Sequence, residues 1–144
     1  PPLTGEERAV AASVLDLARG EAGVRALTAW SLGWSAAQAA SGSDWMAPYL
    51  IELLDDEYPA IRYIAYRSLR RISGFADFQY DYVAAPERRW SAQAAARARW
   101  SRAARPAAPP RAELLFEADG HFLGGELERL MTERREDDEM FLAE

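Results

Sequence analysis

The sequence contains no cysteine, no lysine and no long apolar run. Without cysteine the chain has no disulfide, no thiolate metal ligand and no cysteine nucleophile. Its longest apolar stretch, residues 45–54, is interrupted by Pro48 and Glu52. That stretch is well short of the roughly 20 residues that cross a bilayer. We therefore expect no membrane partner.

Charge is unevenly distributed along the chain, although the net charge is only −6. Residues 1–61 carry 3 arginines and 9 acids, residues 62–111 carry 11 and 3, and residues 112–144 carry 3 and 11. The three segments therefore have charges of −6, +8 and −8. Two interpretations follow: the acidic ends neutralise the basic middle, or the middle forms a patch for an acidic partner.

A shift of 37 residues aligns the first part of the chain with the second without a gap. Identical residues meet at Gly5 and Gly42, Leu17 and Leu54, Arg25 and Arg62, Ser31 and Ser68, and Leu32 and Leu69. A fixed period of this length is typical of stacked helical units. We predict two helical hairpins within residues 4–73.

The first unit has the signals of a capped helix followed by a second helix. Thr4 and Glu7 have the spacing of a capping box, in which a hydroxyl and a carboxylate each satisfy one free N–H group. Gly20 and Gly23 are predicted to end this helix. The second helix is predicted over residues 24–34, and its inward face is expected to contain Val24, Leu27, Ser31 and Leu32.

The second unit follows the same logic. Ser41 and Asp44 are candidate caps, and Pro48 is tolerated near the first helical turn. Its second helix is predicted over residues 60–72, with Gly74 as the cap that ends it. The inward face is expected to contain Ile61, Ile64, Ala65, Leu69 and Ile72.

Residues 53–62 resemble the HEAT repeat, including the shorter HEAT-like units of the phycobilisome-lyase type. That family places an Asp-Pro-like turn before a Val/Ile-Arg pair that opens the second helix. Asp56 and Arg62 match the family's positions, and the resemblance implies that they brace neighbouring repeats as a structural ladder. The first unit keeps Val24 and Arg25 but has Arg19 in place of the aspartate. The resemblance covers residues 4–73.

The remainder of the chain is expected to cover the repeats. Residues 75–83 are interpreted as an extended aromatic segment, and residues 86–104 as a helix whose Trp90 and alanine face point inward. Leu114–Phe116 and Met140–Leu142 are candidates for short strands around a helix at residues 125–135, whose Leu127, Leu130 and Met131 are expected to point inward. The predicted organisation is two repeats in 1–74, an aromatic segment and helix in 75–105, a Pro-rich connector in 106–111 and an acidic cap in 112–144. The fold class is mainly α, an α-solenoid.

Candidate chemistry is sparse. Residues 115–126 place Glu117, Asp119 and Glu126 at calcium-loop positions, but Leu115 occupies the first ligand position, so an acidic turn is the preferred interpretation. The lone His121 has no cysteine to share a metal. No phosphate-binding glycine motif is present. We expect no cofactor, no metal and no intrinsic catalysis.

The second helix of the second unit carries the best candidate for a contact surface. Tyr63, Tyr66, Arg67 and Arg70 lie outside its apolar stripe, and Tyr and Arg are frequent at binding hot spots. The alternative is that residues 75–82 fold over them. We expect a scaffold or protein-interaction domain, the C-terminal part of a larger bacterial protein. The alternatives are an accessory domain of an enzyme or electron-transfer protein whose active centre lies upstream and, less favoured, a nucleic-acid-binding HEAT-like domain.

Overall fold

The computed structural model describes residues 10–102, 111–117 and 121–142. These ranges are mainly helical, as predicted, and contain no sheet; their one β-bridge pairs Phe116 with Phe122. The helices are α1 (Ala12–Arg19), α2 (Ala22–Leu32), α3 (Ser35–Ser41), α4 (Met46–Glu52), α5 (Pro59–Leu69), α6 (Pro86–Arg102) and α7 (Gly124–Leu142). No helix in these ranges is both long and apolar enough to cross a membrane.

The chain divides into two compact units. One comprises residues 1–25 and 106–144, and the other comprises residues 26–105. In the first unit α1 packs against α7, and its core includes Val14 and Leu17. Leu127, Leu130 and Met131 of α7 are buried, as their spacing predicted. Both ends of the described chain thus contribute to one core.

Helix α4 is the centre of the second unit. All six residues from Met46 to Ile51 are buried, so this part of the helix is covered on every side, as expected for a central helix. Helices α5 and α6 pack on it. Gln93 of α6 donates from Nε2 to the Ile51 carbonyl at 3.0 Å, which satisfies a carbonyl at the end of α4.

The predicted inward face of α2 is partly wrong. Val24 and Leu27 are exposed, whereas Arg25 is buried. The Arg25 Nη1 donates to the Gly20 carbonyl at 2.8 Å, so its guanidinium is buried with a hydrogen-bond acceptor. Apolar periodicity treats every arginine as exposed. It therefore could not predict that Arg25 is buried, and it assigned the inward face of α2 incorrectly.

Several local predictions also need correction. Residues 140–142 are not a strand, because α7 continues through them. The Trp90 side chain is 52% exposed instead of inward, while its indole N–H reaches the Asp55 carboxylate at 2.9 Å. Helix α5 ends at Leu69, before Gly74, and Gly23 lies inside α2 instead of ending α1.

Other differences concern elements that have weak sequence signals. Helix α3 was not predicted, because its residues are small and polar, and none of them is buried. The candidate strand at 114–116 reduces to a 3-10 turn and the single bridge at Phe116. The capping box at Thr4 and Glu7, the Pro-rich run 106–110 and Asp119 lie outside the described residues.

Candidate functional site

An open cleft of about 540 Å³ lies between α2 and α5 in the second unit. It is lined by aromatic, small and basic side chains: Trp30, Gly33, Trp34, Tyr63, Ile64, Arg67, Ser68 and Arg71. Its size falls within the range of common ligand sites. The cleft therefore brings predicted contact residues of α5 together with residues at the end of α2.

Two tryptophans form the α2 side of the cleft. Trp30 and Trp34 are 53% and 47% exposed, and their ring centroids are 4.9 Å apart in an edge-to-face arrangement. Trp30 lies in the last turn of α2 and Trp34 lies just beyond its end, and the turn between them brings the two rings together. The pair presents a broad apolar surface with two indole edges.

The last four carbonyl groups of α2 all have hydrogen-bond donors. The Trp30 and Ser31 carbonyls accept backbone N–H groups from Gly33 and Trp34, both at 3.0 Å. The Leu32 carbonyl accepts from Gln38 Nε2 at 3.0 Å. The Ala29 carbonyl accepts from Ser68 Oγ at 2.6 Å. The carbonyls that a helix end leaves free are thus satisfied here.

Gly33 and Ser68 form the floor of the cleft. A Cβ atom built on Gly33 would lie 2.7 Å from Ser68 Oγ and 3.3 Å from Ser68 Cα. The backbones of the two walls therefore approach each other so closely that no side chain fits between them at this point. This contact sets the distance between the walls.

The α5 side of the cleft combines a ring with two guanidinium groups. Tyr63 is 42% exposed and contacts Tyr82, with ring centroids 5.1 Å apart. The Arg67 guanidinium lies over the Tyr63 ring, 5.8 Å from its centroid, at a distance typical of a cation–π contact. Arg71 is exposed one helical turn further on, and its Nη1 is 3.4 Å from the Gly33 carbonyl.

The two walls of the cleft carry basic side chains and no acidic ones. Residues 22–43 and 58–76, which form the walls and their ends, contain no Asp or Glu, although the chain has 23 acids. Arg67 and Arg71 make no ion pair with any described residue. Both cations therefore face the solvent of the cleft without a carboxylate from this part of the chain.

Other arginines of the basic middle have acidic neighbours within the same unit. Arg89 pairs with Asp55 at 3.3 Å, and Arg97 pairs with Glu52 at 2.8 Å. Arg99 pairs with Asp77 at 2.7 Å, and its hydrogen bond and charge hold the Asp77 pKa below its usual value. Much of the basic charge on α6 is thus neutralised locally, unlike that of the cleft.

The other two predicted contact residues hold the aromatic segment. The Tyr66 hydroxyl donates to the Phe78 carbonyl at 3.0 Å, and its ring lies 5.6 Å from that of Tyr80. Arg70 donates from Nε and Nη2 to the Ala76 carbonyl at 3.0 and 2.9 Å. Residues 76–80 therefore cover one end of the predicted surface and leave Tyr63 and Arg67 open.

The predicted ladder residues Asp56 and Arg62 are both buried. Arg62 donates from Nη1 to the carbonyls of Asp56 and Glu57 at 2.7 and 3.2 Å, and from Nε to the Tyr82 carbonyl at 2.8 Å. The Asp56 carboxylate accepts the Tyr58 N–H at 3.0 Å. Arg62 thereby joins the turn before α5 to the aromatic segment.

The acidic turn and the histidine show no assembled metal site. Leu115 has a left-handed backbone with φ of 59°, and His121 is exposed. Within the described ranges no group of three or more His, Asp or Glu side chains could hold a metal ion. Asp119, one of the candidate ligands, lies outside those ranges.

Sequence reasoning missed Trp30, Trp34 and Arg71 as cleft residues. The tryptophans have a four-residue spacing, and the walls are two long acid-free stretches. Together, these signals could have indicated an exposed aromatic and basic face. The scan against family models, the search of curated proteins and the search of solved structures found no match.

Proposed function

We propose that this chain is a non-catalytic helical-repeat scaffold that contacts another protein through the α2–α5 cleft. The observation that carries the proposal is the exposure of Trp30, Trp34 and Tyr63 around one open cleft. Soluble proteins rarely expose clustered large apolar side chains without a binding role. Trp, Tyr and Arg are also the residues enriched at binding hot spots.

A repeat architecture of the HEAT-like type is part of this proposal. Arg25 and Arg62 are equivalent across the 37-residue shift, and so are Gly20 and Glu57. Arg25 Nη1 donates to the Gly20 carbonyl at 2.8 Å, and Arg62 Nη1 donates to the Glu57 carbonyl at 3.2 Å. The same bond at equivalent positions supports two copies of one structural unit. In such stacks the second helices often form the binding surface.

The test uses a variant that removes the exposed rings without touching the core. The full chain carrying Trp30→Ala and Tyr63→Ala is immobilised, and captured proteins from its own cells are quantified against wild type. We expect a defined partner to be retained by wild type and lost by the double variant. The melting temperature should be nearly unchanged, because both rings are about half exposed.

Trp90→Ala is the matched control, since Trp90 is 52% exposed but lies on α6, outside the cleft. It should retain the same partner. If no captured protein distinguishes wild type from the cleft variant, the cleft is not a protein-contact surface. A large drop in the melting temperature of the cleft variant would instead show that the rings stabilise the core.

A further inference from the structure

The cleft has the charge pattern of a site for an anionic segment. Its two walls lack acids, and the cleft is lined by Arg67 in the last turn of α5 and by Arg71 just beyond the end of that helix. Each guanidinium can donate two parallel hydrogen bonds to a carboxylate. The arrangement therefore suits an occupant that carries more than one carboxylate.

The opposite wall of the cleft favours the binding of an apolar group. Trp30 and Trp34 present half-exposed rings, and the cleft between them and Tyr63 has a volume of about 540 Å³. Burying an aromatic or aliphatic side chain there would remove apolar surface of both partners from water. An occupant with carboxylates alone would leave this wall unused.

We propose that the cleft binds an acidic peptide segment in which an aromatic or aliphatic residue is flanked by Asp or Glu. This inference rests on the proposed function and specifies the partner's chemistry. The apolar side chain of the segment packs against Trp30 and Trp34. Its neighbouring carboxylates pair with Arg67 and Arg71 at the rim.

A nucleic acid fits the same walls less well. Arg25 and Arg62 are buried and Arg70 holds the Ala76 carbonyl, so the wall arginines that line the cleft are Arg67 and Arg71. Binding to a phosphate backbone depends on many simultaneous contacts and on counterion release. The net charge of −6 repels a long polyanion more strongly than a short peptide that carries few charges. A short acidic peptide needs only the local charges.

The experiment measures fluorescence anisotropy of a labelled short peptide that has a central Phe-Leu pair flanked by Asp and Glu. A second peptide replaces each acid with Asn or Gln, and labelled oligothymidine is the nucleic-acid probe. We expect the acidic peptide to bind the full chain at least about tenfold more tightly than the neutral one, since charged hydrogen bonds are the stronger class. Added salt should weaken this binding.

Arg67→Gln with Arg71→Gln should reduce the affinity for the acidic peptide by about tenfold or more and leave the neutral peptide unaffected. Arg88→Gln is the control, because Arg88 is an exposed arginine of the same unit outside this cleft. It should change neither affinity. Circular dichroism of each variant establishes that the helices remain.

Three results would overturn the inference. Equal binding of the acidic and neutral peptides would show that charge does not select the occupant, although a protein-contact role for the cleft would stand. Tight oligothymidine binding that the Arg67→Gln and Arg71→Gln variant abolishes would assign the cleft to nucleic acid. Absence of saturable acidic-peptide binding up to millimolar concentration would exclude this peptide class, while partner capture that depends on Trp30 and Tyr63 would still support the proposed function.

Discussion

The Ser68 hydroxyl donates to the Ala29 carbonyl at 2.6 Å, and this bond joins the two walls of the cleft. Ser68 is buried on α5, and Ala29 belongs to the last turn of α2. A carbonyl near a helix end needs a donor from outside the helix. The end of α2 and the α5 helix are thus held together where Trp30 and Trp34 face the cleft.

Ser68→Ala should destabilise the fold by about 1–3 kcal/mol, because it leaves the buried Ala29 carbonyl without its side-chain donor. Urea unfolding of the purified chain measures this directly. Ser73→Ala, at an exposed position of the same unit, should lie within about 0.5 kcal/mol of wild type. Equal stability of the two variants would mean that the bond does not contribute to stability.

Gly33→Ala should also destabilise the protein, because its Cβ would lie 2.7 Å from Ser68 Oγ. Overpacking of this kind costs about 1–3 kcal/mol. Gly23→Ala, within α2, is the control, since nothing lies within 4 Å of its Cβ position. Alanine there should stabilise the chain by up to about 1 kcal/mol.

The two floor substitutions should be non-additive, because Ser68→Ala removes the oxygen nearest to the added methyl group. The double variant Gly33→Ala with Ser68→Ala should lose less stability than the sum of the two single losses. Strict additivity in a urea-unfolding cycle would contradict direct contact between these residues.

The helical fold was predictable from the sequence because period and caps are local signals. The described residues are mainly helical, as predicted, and the α7 core positions were identified correctly. Helix α3 was missed, since its alanines give no apolar stripe. The C-terminal strand was a wrong prediction. The three apolar residues Met140–Leu142 form too short a run for their spacing to distinguish a helix from a strand.

The site was predictable only in part, for a different reason. Tyr63 and Arg67 were singled out from one helix, but their neighbours Trp30 and Trp34 lie more than 25 residues earlier in the chain. Exposure of α2 also depends on the burial of Arg25, which hydrophobic patterning places at the surface. The apolar pattern of one helix does not show which other helix packs beside it. It also does not show which arginine is buried with its hydrogen bonds satisfied.

Arg62→Ala should destabilise the protein by about 2–4 kcal/mol, because the buried guanidinium makes hydrogen bonds that water cannot replace. Thermal and urea unfolding measure the loss. Arg88→Ala removes an exposed arginine from the same unit and should change stability by less than about 0.5 kcal/mol. An Arg62→Ala protein with the same melting temperature as wild type would exclude a bracing role for Arg62.

The Tyr80 hydroxyl should ionise at a higher pH than that of an ordinary tyrosine. Partial burial raises its pKa from 10.0 to about 12, and its hydroxyl donates to the Leu54 carbonyl. Because the folded-state pKa is raised, the contribution of the neutral Tyr80 side chain to folding stability is complete below pH 10 and is lost as the pH rises towards 12. The ultraviolet phenolate signal of wild type, less that of Tyr80→Phe, should show a late transition. A Tyr80 transition at the ordinary pKa would contradict this burial.

The most direct test of the cleft follows the indole N–H signals of the five tryptophans by NMR during titration with the acidic peptide. Trp30 and Trp34 line the cleft, whereas Trp90 is similarly exposed outside it and Trp100 is buried. We predict saturable shifts of the Trp30 and Trp34 signals while those of Trp90 and Trp100 stay fixed. Shifts at Trp90 as large as those at Trp30, or no shift at either cleft tryptophan, would contradict the assignment of the contact surface.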